Sequence, residues 1–329
     1  MSTVKLGDVA RESRLKWERS KLDVPIVGLE HLIPGEIRFE AYDKNIDNTF
    51  SKKFVKGQVL FGRRRSYQRK AAVAEFDGIC SGDITVIETI GGKMVSELLP
   101  FIIQTPAFFD YANKGSAGSL SPRVKWEHLA DYEFELPSLK EQKVLADKLW
   151  AAYRLKEGYK KLYVATDEMV KSQFIEMFKG DNQVPLGDIC NIEKGATITR
   201  NDVLHGEVPV VAGGQEPSCY HNVANREAGA ITVSASGAYA GYINFWNCPI
   251  FASDCNTIIS KDDEKTDQTF VYFGLRAMQK QIYGLQKGGA QPHVYGKDLQ
   301  KFMFPCPSYA KQIEFSKMAK QADKSEYYN

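Results

Sequence analysis

VKLGDVARE at residues 4–12 and VPLGDICNI at residues 184–192 are two versions of one phrase. Val4, Leu6, Gly7 and Asp8 return as Val184, Leu186, Gly187 and Asp188, with Ile189 in the place of Val9. Far downstream of each, a second set of matches returns at constant spacing. Gly118, Pro122, Val124, Leu129, Phe134, Pro137, Ser138 and Gln142 recur as Gly288, Pro292, Val294, Leu299, Phe304, Pro307, Ser308 and Gln312. Ordinary composition gives far fewer coincidences in so short a window. The interiors diverge, although Ile79, Asp83 and Ile87 still echo in Ile250, Asp254 and Ile258. The period is too long for a solenoid, so the chain reads as one domain duplicated. A duplication kept for stability alone would also preserve the edges. Divergent interiors inside similar frames point to two versions of one job.

The copies lie at 1–137 and 179–307, with helical segments at 138–178 and 308–329. The first copy reads as mixed α/β. Strand-like runs fall at 57–61 (GQVLF), 71–76 and 83–88 (DITVIE), punctuated by glycines, and helices are expected at 94–104 and 106–113. The second copy repeats the pattern, with strands at 230–234, 241–246 and 257–260 and one helix over 268–283. The segment 138–178 lacks proline and has a single glycine, Gly158. Pro137 and Ser138 make its entry, with Glu141 placed for a capping box. Leu145, Leu149, Ala152, Leu155, Tyr159, Leu162, Thr166 and Met169 step by fours and threes, an apolar stripe close to a heptad. Such a helix spans roughly 60 Å. From Ser308 a second helix carries Ile313, Phe315, Met318 and Ala322 as its apolar positions.

Composition narrows the function classes only modestly. The 329 residues carry a net charge of +2, with 43% hydrophobic and 26% charged residues. These are ordinary globular values, so only the local distribution of charge bears on a nucleic-acid partner. No apolar run is long enough to span a membrane, and the N-terminal stretch has no signal-like apolar core. The six cysteines form no CxxC pair and sit at no zinc spacing with the five histidines. They read as plain thiols, and the expected location is the cytoplasm.

Taken in order, these features resemble type I restriction-modification specificity subunits. The first copy closes with GSAGSLSPRVKWEHLADYEFELPSLKEQKVLADKL (115–149) and the second with a looser version, GGAQPHVYGKDLQKFMFPCPSYAKQIEF (288–315). Both look like the family's end-of-domain pattern: a glycine-serine segment, a short helix, and a strand leading into the long helix. The opening LGD of each copy and ITVSASGAYAGY (231–242) also look like family patterns. The resemblance implies an α/β (α+β) fold. Two globular target-recognition domains are separated by long helices forming an antiparallel coiled coil. It implies a non-catalytic protein that reads a split site in double-stranded DNA and docks methyltransferase (M) subunits, and restriction (R) subunits through them. S-adenosylmethionine and ATP would then bind on those partners, with no cofactor on this chain. One departure stands out. The segment 308–329 is about half as long as 138–178, so the remaining stripe is expected either to meet another chain or to mark a truncated product. The stripe residues Leu145, Leu149, Leu155, Tyr159, Leu162 and Met169, with Phe315 and Met318, are the candidate coiled-coil and partner contacts.

DNA contact needs cations for phosphates and forked donors or acceptors for base edges. Residues 51–70, SKKFVKGQVLFGRRRSYQRK, hold eight basic residues and no acid. Arg63, Arg64, Arg65, Tyr67, Gln68, Arg69 and Lys70 follow an expected strand and are the first candidate contact loop, with a solvated basic turn as the alternative. The loop 114–123 is the second, with Lys114, Ser119 and Arg123; a flexible loop would look the same. In the second copy Ser234, Ser236, Tyr239 and Tyr242 stand where the arginines stood, and Lys287, Gln291 and His293 match the later loop. The tyrosines there suit core packing equally well. No Asn-Pro-Pro-Tyr methylation motif and no Walker-type phosphate loop is present, and NCPI (247–250) is only an echo of the former. A free-standing or truncated DNA-binding specificity protein, and a methyltransferase or nuclease with an unfamiliar motif, remain the alternatives.

Overall fold

The run VLFG is apolar at consecutive rather than alternate positions, as in a strand covered on both faces. In the computed structural model, which describes residues 2–118 and 120–322, strand Val59–Gly62 lies at the centre of a five-stranded sheet. The spatial order is Ala10–Glu12, Ile84–Thr89, Val59–Gly62, Ala71–Ala74, Arg38–Phe39; all pairs are antiparallel except the last. Alternation along the strand separates two cores. Val59 and Phe61 face Leu6, Ile103, Phe108 and Phe109, whereas Leu60 faces Phe39, Phe54 and Val86. Phe61 is fully buried between Phe108 and Phe109, and its truncation to alanine should cost about 3–5 kcal/mol. A three-stranded sheet, ordered Ile26–Val27, Gly78–Cys80, Lys52–Phe54, contributes Val27, Cys80 and Phe54 to the second core.

These elements form one of two compact units, Met1–Glu157; the other is Gly158–Asn329. The second unit has a four-stranded antiparallel sheet ordered Cys190–Lys194, Cys255–Ser260, Ala230–Ser234, Ile243–Trp246. Beside it runs a three-stranded sheet ordered Cys219–His221, Val208–Val211, Phe251–Ala252. Its core is an aromatic cluster in which Phe174, Phe178, Phe270, Phe304 and Phe315 contact one another. Burial pushes the thiols of Cys80, Cys190 and Cys255 up to about 12, so these cysteines act as small packing groups.

The repeated residues are those that close each unit. Strand Ser2–Lys5 pairs antiparallel with Glu133–Leu136, and Gln183–Pro185 pairs in the same way with Met303–Pro305. Gly7 and Gly187 sit where a Cβ would lie 3.0 Å from Ala130 and Gln300 respectively, so both positions are tight for any side chain. Gln142 and Gln312 are buried and act alike. Each side-chain oxygen accepts a backbone N–H, from Val95 or Asp267, and each amide donates to the carbonyl of Pro137 or Pro307.

The long helix is Leu139–Phe178, entered by a capping box in which Ser138 and Glu141 exchange hydrogen bonds of 3.0 and 3.4 Å. Ala146, Trp150 and Tyr153 join the first core, and Val170, Phe174 and Phe178 join the second. The heptad-like stripe is a different face. Leu145, Leu155, Tyr159, Leu162 and Met169 are exposed, and Leu149 is partly buried. The C-terminal helix, Tyr309–Ala322, runs antiparallel to the end of the long one. Lys311 pairs with Asp181 at 3.2 Å, Phe315 stacks among Phe174 and Phe178, and Gln321 and Ala322 share a groove of about 220 Å³ with Tyr163, Thr166 and Val170. Phe315 is therefore filled into its own unit's core rather than offered to a partner, and Met318 packs partly buried against the same cluster. The expected continuation of that helix to 329 lies outside the described residues.

Two helices differ from expectation. The segment 94–104 holds a short 3-10 turn, Ser96–Leu98, and then helix Leu99–Ile103. Pro100 lacks an N–H and is tolerated only in a first turn, so the helix starts beside it. The segment 268–283 breaks at Met278 into Gln268–Ala277 and Gln279–Tyr283. Met278 leaves the helical backbone at φ −96 and ψ 14, and Gln279 turns aside to donate to the Gly241 carbonyl at 2.7 Å.

Candidate nucleic-acid interface

In the first unit the chain leaves strand Val59–Gly62 directly into the arginine loop. The loop is tied by its backbone to the segment 114–123. Arg65 N–H donates to Pro122 O at 2.8 Å, Val124 N–H to Arg63 O at 3.0 Å, and Arg63 N–H to Asp83 O at 2.9 Å. Both candidate loops of this copy thus form one surface. The tip is a 3-10 turn, Ser66–Gln68, bracketed by Arg65 at φ 52 and Arg69 at φ 53. Left-handed backbone costs a non-glycine residue on the order of 1 kcal/mol. Here two arginines, Arg65 and Arg69, hold it at the two ends of the turn. Ser66 anchors the turn, with its Oγ donating to Asn113 Oδ1 at 2.7 Å.

The side chains divide into clamped and unpaired groups. Arg123 Nε donates to Asp83 at 2.7 Å; Arg64 reaches the same carboxylate at 3.3 Å and Ser121 Oγ at 2.9 Å. Burial alone would raise the Asp83 carboxyl, but the hydrogen bond and charge of Arg123, then of Arg64, outweigh it and hold the group below the usual carboxylate range. Arg69 pairs with Asp110 at 3.3 Å and Lys70 donates to the Leu29 carbonyl at 2.7 Å. Arg63 and Arg65 differ: the Nε of each is buried and has no hydrogen-bond partner. Both side chains are only partly buried and no carboxylate among the described residues clamps either, so their charge is left uncompensated within the loop. Lys114 is exposed at the end of helix Pro106–Lys114, Gln68 is partly buried, and Tyr67 is 58% exposed. Ser119 lies outside the described residues.

The second unit builds the same frame from other residues. Gly237 N–H donates to Pro292 O at 3.1 Å, Val294 N–H to Ala235 O at 3.0 Å, and Ala235 N–H to Asp254 O at 3.1 Å. Positive φ recurs at Gly237 (82) and Gly241 (88), where the first copy has Arg65 and Arg69. Isolated bridges match as well: Arg64↔Arg123 and Ala117↔Arg123 in one copy, Ser236↔His293 and Lys287↔His293 in the other. Asp254, the counterpart of Asp83, accepts a hydrogen bond from Ser236 Oγ. Lys287 is paired with Asp298 at 2.7 Å, and its charge and hydrogen bond hold that carboxyl below its ordinary value. His293 stacks on Tyr295 with ring centroids 6.0 Å apart, Gln291 is exposed, Tyr242 is partly buried, and Tyr239 is 47% exposed.

Ser234 departs from expectation. It is the last residue of its strand, is buried, and donates to the Gly214 carbonyl at 3.3 Å, so it is no surface contact. Sequence reasoning also missed that Asp83 and Asp254 organise the loops. Their recurrence at matched positions was the available signal. Among the described residues one group has metal-binding spacing, Glu30, His31 and Asp43. There His31 Nδ1 accepts the Gly28 N–H at 2.9 Å and Nε2 lies 3.4 Å from Asp43, an arrangement satisfied without an ion.

Comparisons with known proteins bear on the second copy and on the fold as a whole. Residues 180–326 match the family model for the type I restriction modification DNA specificity domain. The EcoDI type I restriction enzyme specificity subunit of Escherichia coli is 29% identical over 145 residues, which are 42% of this chain and 30% of that protein. The chain thus spans about a third of the length of the curated relative it matches. The type I restriction-modification S subunit from M. genitalium superposes with a TM-score of 0.67 at 13% identity, covering 98% of this chain and 89% of that one, and so shares the fold. A chain from a structure of type I R-M system assembly aligns at TM-score 0.48 and 16% identity over 97% of this chain and 89% of its own. Residues 180–326 are thus similar to the type I restriction modification DNA specificity domain, and the chain as a whole shares the fold of the M. genitalium S subunit.

Proposed function

We propose that this chain reads DNA for a type I restriction-modification complex, with one unit contacting each part of a split site. The observation that carries the reading is the shared loop frame. Two copies hold the same backbone and the same anchoring acid, and fill the exposed positions with different chemistry. Arginines suit guanine edges and phosphates, whereas hydroxyls, glycine amides and a histidine suit another sequence. Arg63 and Arg65, whose charges no acid among the described residues clamps, are the leading DNA contacts of the first unit. Arg64 and Arg123, clamped by Asp83, set the shape of the surface and add positive charge.

In this reading the chain is a non-catalytic adaptor. Its exposed stripe, Leu145, Leu155, Tyr159, Leu162 and Met169, is where methyltransferase subunits would dock, with restriction subunits joining through them. S-adenosylmethionine and ATP would be bound by those partners. Sequencing methylated bases in cells that carry the chain with its methyltransferase tests the whole proposal. The expected result is a two-part motif with a fixed gap, absent when the chain is deleted. Methylation that persists without the chain, or a single unsplit motif, would refute it.

A further inference from the structure

We infer that Tyr67 and Tyr239 are matched, sequence-independent contacts by which each unit seats on the sugar–phosphate backbone of duplex DNA; the inference rests on the DNA-reading function proposed above. Aligned by their frames, 61–70 and 233–242 share one identical pair, Tyr67 with Tyr239. Both stand at the tip of the same tight turn. Gln68 N–H donates to Arg65 O at 2.9 Å, and Ala240 N–H to Gly237 O at 3.0 Å. Left-handed residues flank both tips, Arg65 and Arg69 in one and Gly237 and Gly241 in the other.

Neither tyrosine makes a side-chain hydrogen bond or an aromatic ring contact among the described residues. Tyr67 is 58% and Tyr239 47% exposed, so each ring stands half in solvent. A large aromatic held out at a tip gains its burial from whatever docks there. The neighbours on either side differ between the copies, as readers of different bases should. The residue that does not differ then serves what is common to every duplex, namely deoxyribose and phosphate. The phenol suits both: the ring packs on sugar and the O–H donates to a phosphate oxygen. A neutral donor displaces no condensed counterion, so its loss weakens binding without altering the salt dependence.

The test uses the full chain and a random-sequence duplex, with affinity measured across a salt series. Tyr67→Phe and Tyr239→Phe each keep the ring and the fold, which thermal melts verify. Each should weaken binding about tenfold, the effect of one hydrogen bond to a charged acceptor, with the slope of log affinity against log salt unchanged. Methylated-base sequencing with either variant should return the wild-type motif. Unchanged affinity, a changed slope, an effect in only one variant, or an altered motif would each overturn the inference while leaving the broader reading in place. Failure of the wild-type chain to bind the duplex at low salt would overturn both.

Discussion

The loops at 63–70 and 235–242 follow one backbone path with almost unrelated side chains. The first forces arginine into left-handed backbone and holds its surface by ion pairs to Asp83; the second uses glycine at the same positions and a serine hydroxyl on Asp254. The comparison teaches that backbone hydrogen bonds and one acid define the loop, and that the outward residues are free to change chemistry. It also teaches that the first loop spends stability to display cations. That is the direction expected when side chains are selected for contact rather than for folding.

The largest effect should come from the unpaired cations. Arg63→Ala with Arg65→Ala should reduce the slope of log affinity against log salt by about two, with a loss in affinity of at least about tenfold at moderate salt. A binding series on duplex DNA checks this; an unchanged slope would remove both side chains from the phosphates. Next, Asp83→Ala should destabilise the first unit by about 1–2 kcal/mol, since both partners remain partly hydrated. The same clamp has a pH signature. Because the folded carboxyl lies below its unfolded value of about 3.9, its stabilisation is complete above that value and disappears as pH falls through the folded one. Melting curves of wild type and Asp83→Asn should therefore converge in acid and separate toward neutrality. A constant gap would deny the ionised clamp.

Smaller effects sharpen the comparison. Arg65→Gly gives the first loop the second loop's solution and should raise thermal stability by about 0.5–1 kcal/mol while weakening DNA binding. Loss of stability in that variant would mean that Arg65 contributes packing that outweighs its backbone strain. Ser236→Ala should cost about 0.5–1 kcal/mol, less than Asp83→Ala, because it removes one hydroxyl donor rather than a two-arginine clamp. Equal losses in the two variants would contradict the unequal anchoring.

Much of the architecture was legible because it rests on local rules. The duplicated edges, the capping box at Ser138 and Glu141, and the continuous apolar run at 59–62 each identify an element by short-range chemistry. The strands at Ile26–Val27, Arg38–Phe39 and Lys52–Phe54 were not legible, since two or three residues carry no period. The candidate surface was legible in charge and hidden in pairing. Eight basic residues at 51–70 announce a cationic patch, but nothing in RRR distinguishes the clamped Arg64 from the unpaired Arg63 and Arg65. That distinction depends on Asp83, reached only through the sheet. Likewise Phe315 looked like one more stripe position, and only the packing of Phe174, Phe178 and Phe270 around it assigns it to the core.

The central claim is that each unit reads its own part of one site. It is tested most directly by replacing residues 63–65 with the alanine, serine and glycine that stand at 235–237, and then sequencing methylated bases in cells carrying the chain and its methyltransferase. The account predicts that one half of the methylated motif relaxes or changes while the other half and the gap between them stay as they were. A motif altered in both halves, or in neither, would contradict it.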